Sequence, residues 1–438
     1  MNTQKGKALK NKAKDIIPGL SQLLSKRPDM FSPDNWPTYY KKAKGAEVWD
    51  LDNNHYLDMS ISGIGANVLG YADDDVDEAV INCIRNGSSS SLNAPEDVEL
   101  ATLLCDLHPW ADMAKFTRTG GEAMAVAVRI ARSYTQKSKI AFCGYHGWHD
   151  WYLAANLSEP DALGQHLIPN LSPRGVPKEL AQTAFPFHYN KLDELESILI
   201  NNKGEMAAIV MEPIRNLKPQ NNFLRGVREL ANKHGVALIV DEISAGFRLH
   251  TGGAHLKLGL EPDIAVFSKA LGNGYPIAAI IGKRDIMDSA QESFISSTMW
   301  TERVGPVAAL ATIKKHQELN VAEHLIRVGQ QVQQGWKELA SKHGLKVDVG
   351  GIEPLSHFSF LGDDSQMLKT VFTQNMLSQG VLASTLFYSM YAHTQDHIST
   401  YLKAANTAFE SIANAKISNN LNSLLEGPIA STGFTRLN

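Results

Sequence analysis

Residues 263–279 read DIAVFSKALGNGYPIAA. An apolar run ends in a lysine, and a glycine-rich turn follows at once. A short apolar run bounded by turn residues has the length of a strand buried on both faces. NGYP is turn chemistry, and IAAIIG (277–282) resumes as a strand. Lys269 therefore stands where a buried strand leaves the core. Such a lysine can cap the strand with its ammonium in water. It can also sit partly desolvated beside Gly272 and Gly274, where its pKa falls and the free amine attacks a carbonyl carbon.

The pattern extends outward from this stretch. ALIVDEI (237–243), MAAIVMEPI (206–214), KIAFCGY (139–145) and MAKFTRT (113–119) read as strands. ELATLLCDL (99–107), GGEAMAVAVRIARSY (120–134) and FLRGVRELANKHG (223–235) have helical spacing, the last closed by Gly235 after Lys233 and His234. Continuous apolar strands separated by helices predict an α/β fold with a mainly parallel sheet covered on both faces. In such sheets the chemistry lies beyond the strand ends. AEVWDLDNNHYLD (46–58) predicts a hairpin and NGSSSSLN (86–93) a loop. A helix over 321–343, strands near 347–360 and helices over 365–379 and 396–414 predict a smaller α/β domain. The expected division is an N-terminal arm and hairpin over 1–75, a large domain over 76–310 and a small domain over 311–438.

Composition sets the bounds. A chain of 438 residues with 43% apolar and 20% charged residues is ordinary for a globular protein of two or three packed units. The net charge of −4 gives no field for nucleic acid, and no apolar run reaches the ~20 residues of a membrane span. The basic start (Lys5, Lys7, Lys10, Lys12, Lys14) is followed by a short apolar stretch broken by Pro18 and Gly19, which reads as a solvated arm rather than a secretion signal. Three scattered cysteines without a CxxC pair suggest unpaired thiols in a reducing cytoplasm.

Four features near strand ends carry chemistry. Asp241 ends a buried strand, and a carboxylate there needs a cationic partner, either an arginine or a protonated ring nitrogen. RTGGEA (118–123) turns from strand to helix through two glycines; such turns are common, and they also place free N–H groups and a helix dipole where a phosphate can bind. GYHGWHD (144–150) offers Tyr145 for stacking on a flat ring or for a packed aromatic corner. His146 and His149 lack a carboxylate or thiol at ligand spacing, so no metal is expected. Lys269 completes the set.

The order of these features resembles the class III aminotransferases of pyridoxal phosphate fold type I, with the branch that contains glutamate-1-semialdehyde aminomutase most similar. The matching stretches are VWDLDNNHYLDM, TRTGGEAMAVAVRIAR, GYHGWHD, MEPI, ALIVDEISAGFR, PDIAVFSKALGNGYPIAAIIG and STMWTER, over roughly residues 46–310. The resemblance implies that pyridoxal 5'-phosphate is the cofactor. Lys269 would hold it as a Schiff base and shuttle the proton. Asp241 would pair with the ring nitrogen, Ile243 and Tyr145 would cover the two ring faces, and Glu212 would lie near the phenolic edge. Thr119, Gly120 and Gly121 would hold the phosphate. Thr298 would reach the phosphate of a neighbouring subunit, which implies a homodimer with shared sites.

The chain departs from the aminomutase pattern on the substrate side: Ile64 stands at an aromatic's place, Tyr275-Pro276-Ile277-Ala278 replaces Leu-Pro-Val-Gly, and MWTERVGP follows Thr298. Arg215, Arg248 and Arg303 are candidates for gripping a substrate carboxylate through a planar fork, or else structural ion pairs. His146, Trp148 and His149 are candidate pocket residues. The expected activity is transfer of an amino group from a small-molecule donor, with glutamate as a candidate, to an aldehyde or ketone acceptor. The alternative is an intramolecular 2,1-aminomutase, which yields no keto acid by-product.

Overall fold

The computed structural model describes residues 3–164, 166 and 169–433. It contains two compact units, one of residues 74–323 and one that combines the chain up to 73 with the chain from 324 onward.

The larger unit is built on seven strands: β1 Met113–Thr117, β2 Lys139–Cys143, β3 Ala184–Pro186, β4 Met206–Met211, β5 Ala237–Asp241, β6 Ile264–Phe267 and β7 Ala278–Gly282. Their order is β1-β7-β6-β5-β4-β2-β3. Only β7 runs against its neighbours β1 and β6; the other pairs are parallel. Helices α1 Pro95–Leu107, α2 Gly120–Thr135, α3 Phe223–His234 and α4 Val304–Glu318 belong to the same unit. Alternation along the strands shows why both faces need cover. Ala208, Val210, Ile239, Val266 and Ile280 pack with Met124, Ala127 and Ile130 of α2. Ile209, Met211, Leu238 and Val240 pack on the opposite side with Phe223, Val227 and Ala231 of α3. Each such large apolar side chain contributes about 1.5–3 kcal/mol when taken out of water.

Four of the expected parallel strands stop two or three residues early. They end at Thr117, Cys143, Met211 and Asp241, and β6 ends at Phe267, two residues before Lys269. Beyond these ends the chain turns away from the sheet, although the Glu212 and Glu242 N–H groups still reach the Cys143 and Val266 carbonyls of the neighbouring strands. α3 closes as expected, with Gly235 in the left-handed region at φ 60.

In the smaller unit, the hairpin pairs Glu47–Asp50 with His55–Asp58, and the Asp50 carboxylate accepts the N–H groups of Asp52 and Asn54 across the turn. Tyr40–Lys44 and Val381–Leu382 complete that four-stranded sheet. A second, antiparallel sheet of Val347–Gly350, Leu355–Phe360 and Leu386–Tyr388 packs with helices Ser365–Ser378 and Gln395–Ile417 around Trp336, Phe358, Phe372 and Phe409. The basic arm forms a helix, Gln4–Ile16. The boundary expected at 310 falls inside α4, which groups with the larger unit. Among the described residues no helix is long and apolar enough to cross a membrane, and Cys83, Cys105 and Cys143 are unpaired.

Candidate active site

The parallel strands deliver their C-terminal ends to one edge of the sheet. Arg118 and Thr119 follow β1, Tyr145 and His146 follow β2, Glu212 follows β4, Asp241 closes β5, and Lys269 follows β6.

Lys269 adopts φ 50, in the left-handed region that a side chain with a Cβ rarely enters. Backbone held in such a state is a recurrent mark of functional sites. Its Nζ donates to Ser244 Oγ at 2.9 Å. Burial, then the nearby Arg215 cation, lower the amine to a pKa of about 8, against the opposing pull of Asp241 and Glu212.

Asp241 is 2% exposed. Its Oδ1 accepts the Ile243 N–H at 2.9 Å, and its Oδ2 accepts from His146 Nδ1 at 2.7 Å. His146 is itself buried, with its other ring nitrogen 3.2 Å from the Cys143 carbonyl. The imidazole therefore fixes the carboxylate rather than opening to a substrate. Glu212, also buried, accepts the Tyr145 N–H at 3.1 Å and pairs with Arg215 Nη1 at 3.1 Å. Burial raises the Tyr145 phenol.

Thr119 is the N-cap of α2, and Glu122 is the matching residue of a capping box. The Glu122 carboxylate accepts the N–H groups of Arg118 and Thr119 at 3.0 and 3.3 Å. The N–H groups of Gly120 and Gly121 lie in the first turn, where no carbonyl of the helix can reach them. The turn is tightly walled. A Cβ on Gly120 would lie 2.9 Å from Ile243 Cδ1, and one on Gly121 3.1 Å from His149 Nδ1. That His149 nitrogen is buried without a hydrogen-bond partner.

The other substrate-side candidates separate. Arg303 is a correction: its fork is committed to Glu96, with Nε at 3.0 Å and Nη2 at 2.6 Å from the two carboxylate oxygens, so it is a structural ion pair and not a free grip. Arg248 is 1% exposed. Trp148 is 70% exposed and stacks on His149 at 4.4 Å. Arg215 alone among these arginines combines partial exposure with a place in the field of Lys269. Thr298 is exposed and opens a short turn, Thr298–Thr301. Sequence reasoning missed Ser244, three residues past Asp241, and the pairing of His146 with Asp241; the first was legible in DEIS as a hydroxyl beside the acid, whereas the second needs the fold.

The donor set fits pyridoxal phosphate. A lysine with a lowered pKa, a buried carboxylate, free N–H groups at a helix start and an unpartnered imidazole nitrogen are the groups that an aldehyde, a pyridine nitrogen and a phosphate require.

Comparison with known proteins agrees. The family model for class-III aminotransferases matches residues 31–406. The chain is 33% identical over 422 residues to a 3-aminobutyryl-CoA aminotransferase of Cloacimonas acidaminovorans, covering 93% of this chain and 97% of that one. It is 32% identical over 400 residues to a glutamate-1-semialdehyde 2,1-aminomutase of Desulforamulus reducens, covering 86% and 91%. The solved PLP internal aldimine form of the FumI protein of Sphingopyxis sp. MTA144 superposes with a TM-score of 0.85 at 25% identity, over 95% of this chain and 98% of that one. This chain belongs to the class-III aminotransferases, enzymes that work with pyridoxal phosphate.

Proposed function

We propose that the chain transfers an amino group from a carboxylate-bearing amino donor to an aldehyde or ketone acceptor, as a cytoplasmic homodimer with shared sites. The observation that carries this reading is Arg215, a partly exposed cation paired with Glu212 and close enough to Lys269 to lower its pKa. A guanidinium paired with a carboxylate beside the reacting amine can exchange it for a substrate's carboxylate. When bound, pyridoxal phosphate supplies an aldehyde for the amino group and a ring that takes up electrons from the bond broken at the amino-bearing carbon.

The chain's own residues do the rest. The Lys269 amine holds the cofactor and, once displaced by substrate, moves the proton; Ser244 gives that amine a resting partner. Asp241, oriented by His146 and the Ile243 N–H, keeps a proton on the ring nitrogen. Ile243 and Tyr145 cover the ring and exclude water. Thr119, Gly120 and Gly121 bind the phosphate through the start of α2, and Thr298 of the partner subunit completes that site. The dimer reading is supported by the exposed run around Thr298, where Phe294 and Met299 are 88% and 62% exposed, and by a recess of about 1010 Å³ beside α2 lined by Arg129, Trp148, His149, Phe294 and Trp300. The three unpaired cysteines suit a reducing compartment.

Stoichiometry tests the activity. A panel of amino donors, glutamate included, is incubated with the loaded enzyme and aldehyde or keto acceptors. One keto acid should form per amine transferred. Isomerisation of a single amino-aldehyde with no keto acid would replace this reading with an aminomutase.

A further inference from the structure

Arg118 lies between the end of β1 and the phosphate turn, yet its side chain leads elsewhere. Its Nη2 donates to the carbonyls of Trp300 and Glu302 at 3.0 and 2.7 Å, and its Nε lies 2.8 Å from Glu302 Oε1. Its Nη1 returns to the Thr117 carbonyl at 3.1 Å. The Glu302 carboxylate accepts in turn the N–H groups of Val304 and Gly305, at the start of α4. The Thr301 hydroxyl donates to the Thr298 carbonyl at 2.8 Å, so the turn that carries Thr298 is closed by the residue lying between the two whose carbonyls Arg118 holds. The Arg118 side chain is 11% exposed. One nitrogen, Nη2, serves both carbonyls while Nη1 and Nε face two other groups, and a planar fork that meets three directions at once is a geometry lysine's single ammonium does not reproduce.

We propose that Arg118 is a positioning residue for the cofactor phosphate of the partner subunit. The inference rests on the reading that Thr298 crosses to the partner's phosphate. Arg118 sits beside its own subunit's phosphate turn, but three of its four contacts fix the segment 300–302 that steadies Thr298. Its loss in one chain therefore weakens the site whose lysine belongs to the other chain.

Mixed dimers with two affinity tags test this, read as borohydride-fixed pyridoxal phosphate against its free concentration. In the first, an Arg118→Gln chain is paired with a Lys269→Ala chain. The one remaining lysine site receives its Thr298 from a chain with Arg118 intact, so wild-type affinity is expected. In the second, a wild-type chain is paired with a chain carrying both Lys269→Ala and Arg118→Gln. Affinity should fall about tenfold, the loss of one hydrogen bond to a charged group. The reverse pattern, or equal affinity in the two dimers, overturns the proposal. Arg118→Lys, with the cation kept and the fork lost, should give the same order with a smaller effect, and it stands in if the glutamine variant does not fold. The same pair built with Thr298→Ala separates the two ideas. A fall in the first dimer or in neither sinks the crossing of Thr298; a fall in the second alone leaves that crossing intact, and the Arg118 dimers then decide the present inference alone.

Discussion

The lowered pKa of Lys269 has a measurable consequence before any substrate is present. In the cofactor-free protein its amine titrates near 8 instead of 10.5. At pH 8 about half of it is free base, against roughly 0.3% for an unperturbed lysine, a ratio of about 150 in capture of an aldehyde. Capture of pyridoxal phosphate, followed by absorbance and fixed by borohydride between pH 6 and 10.5, should rise with a midpoint near 8. Arg215 is the main cation behind the shift after burial itself. Arg215→Gln should therefore move the midpoint upward, by about one pH unit, since it also frees the Glu212 carboxylate to favour the ammonium. The same shift couples to stability. The folded pKa lies below the unfolded one, so the unfolded chain binds more protons between pH 8 and 10.5, and stability rises with pH across that window. Below pH 8 both states carry the proton and the fold bears a cost of about 3 kcal/mol. Cofactor-free Lys269→Met should accordingly unfold at higher urea than wild type at pH 7 and lose that advantage by pH 10.5. A wild-type capture midpoint near 10.5, or an unmoved midpoint in Arg215→Gln, would refute the reasoning.

Asp241→Asn should still take up the cofactor but slow the half-reaction with an amino donor by orders of magnitude, because an amide cannot hold a proton on a ring nitrogen; single-turnover absorbance measures this, and near-normal rates would remove Asp241 from its role. Gly120→Ala places a methyl group 2.9 Å from Ile243 and should weaken cofactor binding, with Ile243→Ala restoring it in the double variant. Arg303→Gln should lower stability modestly by leaving the Glu96 carboxylate unpaired, with KM for the amino donor little changed; a large rise in KM alone would return Arg303 to the substrate.

Most of the fold was legible because strand and helix periods are local. Val210 and Ile209 reveal a two-faced sheet merely by both being apolar. Strand ends were harder. Asp241 still pairs in register with Val266, Glu212 keeps an N–H bond to the Cys143 carbonyl of the neighbouring strand, and Lys269, equally polar, falls outside the ladder. Whether a polar residue at the tip keeps its ladder bonds depends on the neighbouring strand, not on its own type. Partners were harder still. Glu96 meets Arg303 across 207 residues, and nothing in either neighbourhood distinguishes a committed guanidinium from an open one. The capping box of TGGE was readable, because all of its atoms lie within one helical turn.

The place of β1 at the sheet edge bears on how the protein is made. Its ladder partner is β7, and Thr117 pairs with Ala278, 161 residues later in the chain. At about 5–20 residues per second, that interval is roughly ten to thirty seconds of translation. Until β7 emerges, β1 has no ladder partner in the sheet, although Ile243 and His149, which wall the turn after it, are already made. Lys269 is synthesised shortly before that moment. Lys269 and the strand that seats β1 in the sheet are thus completed within a few residues of each other, close to residue 282.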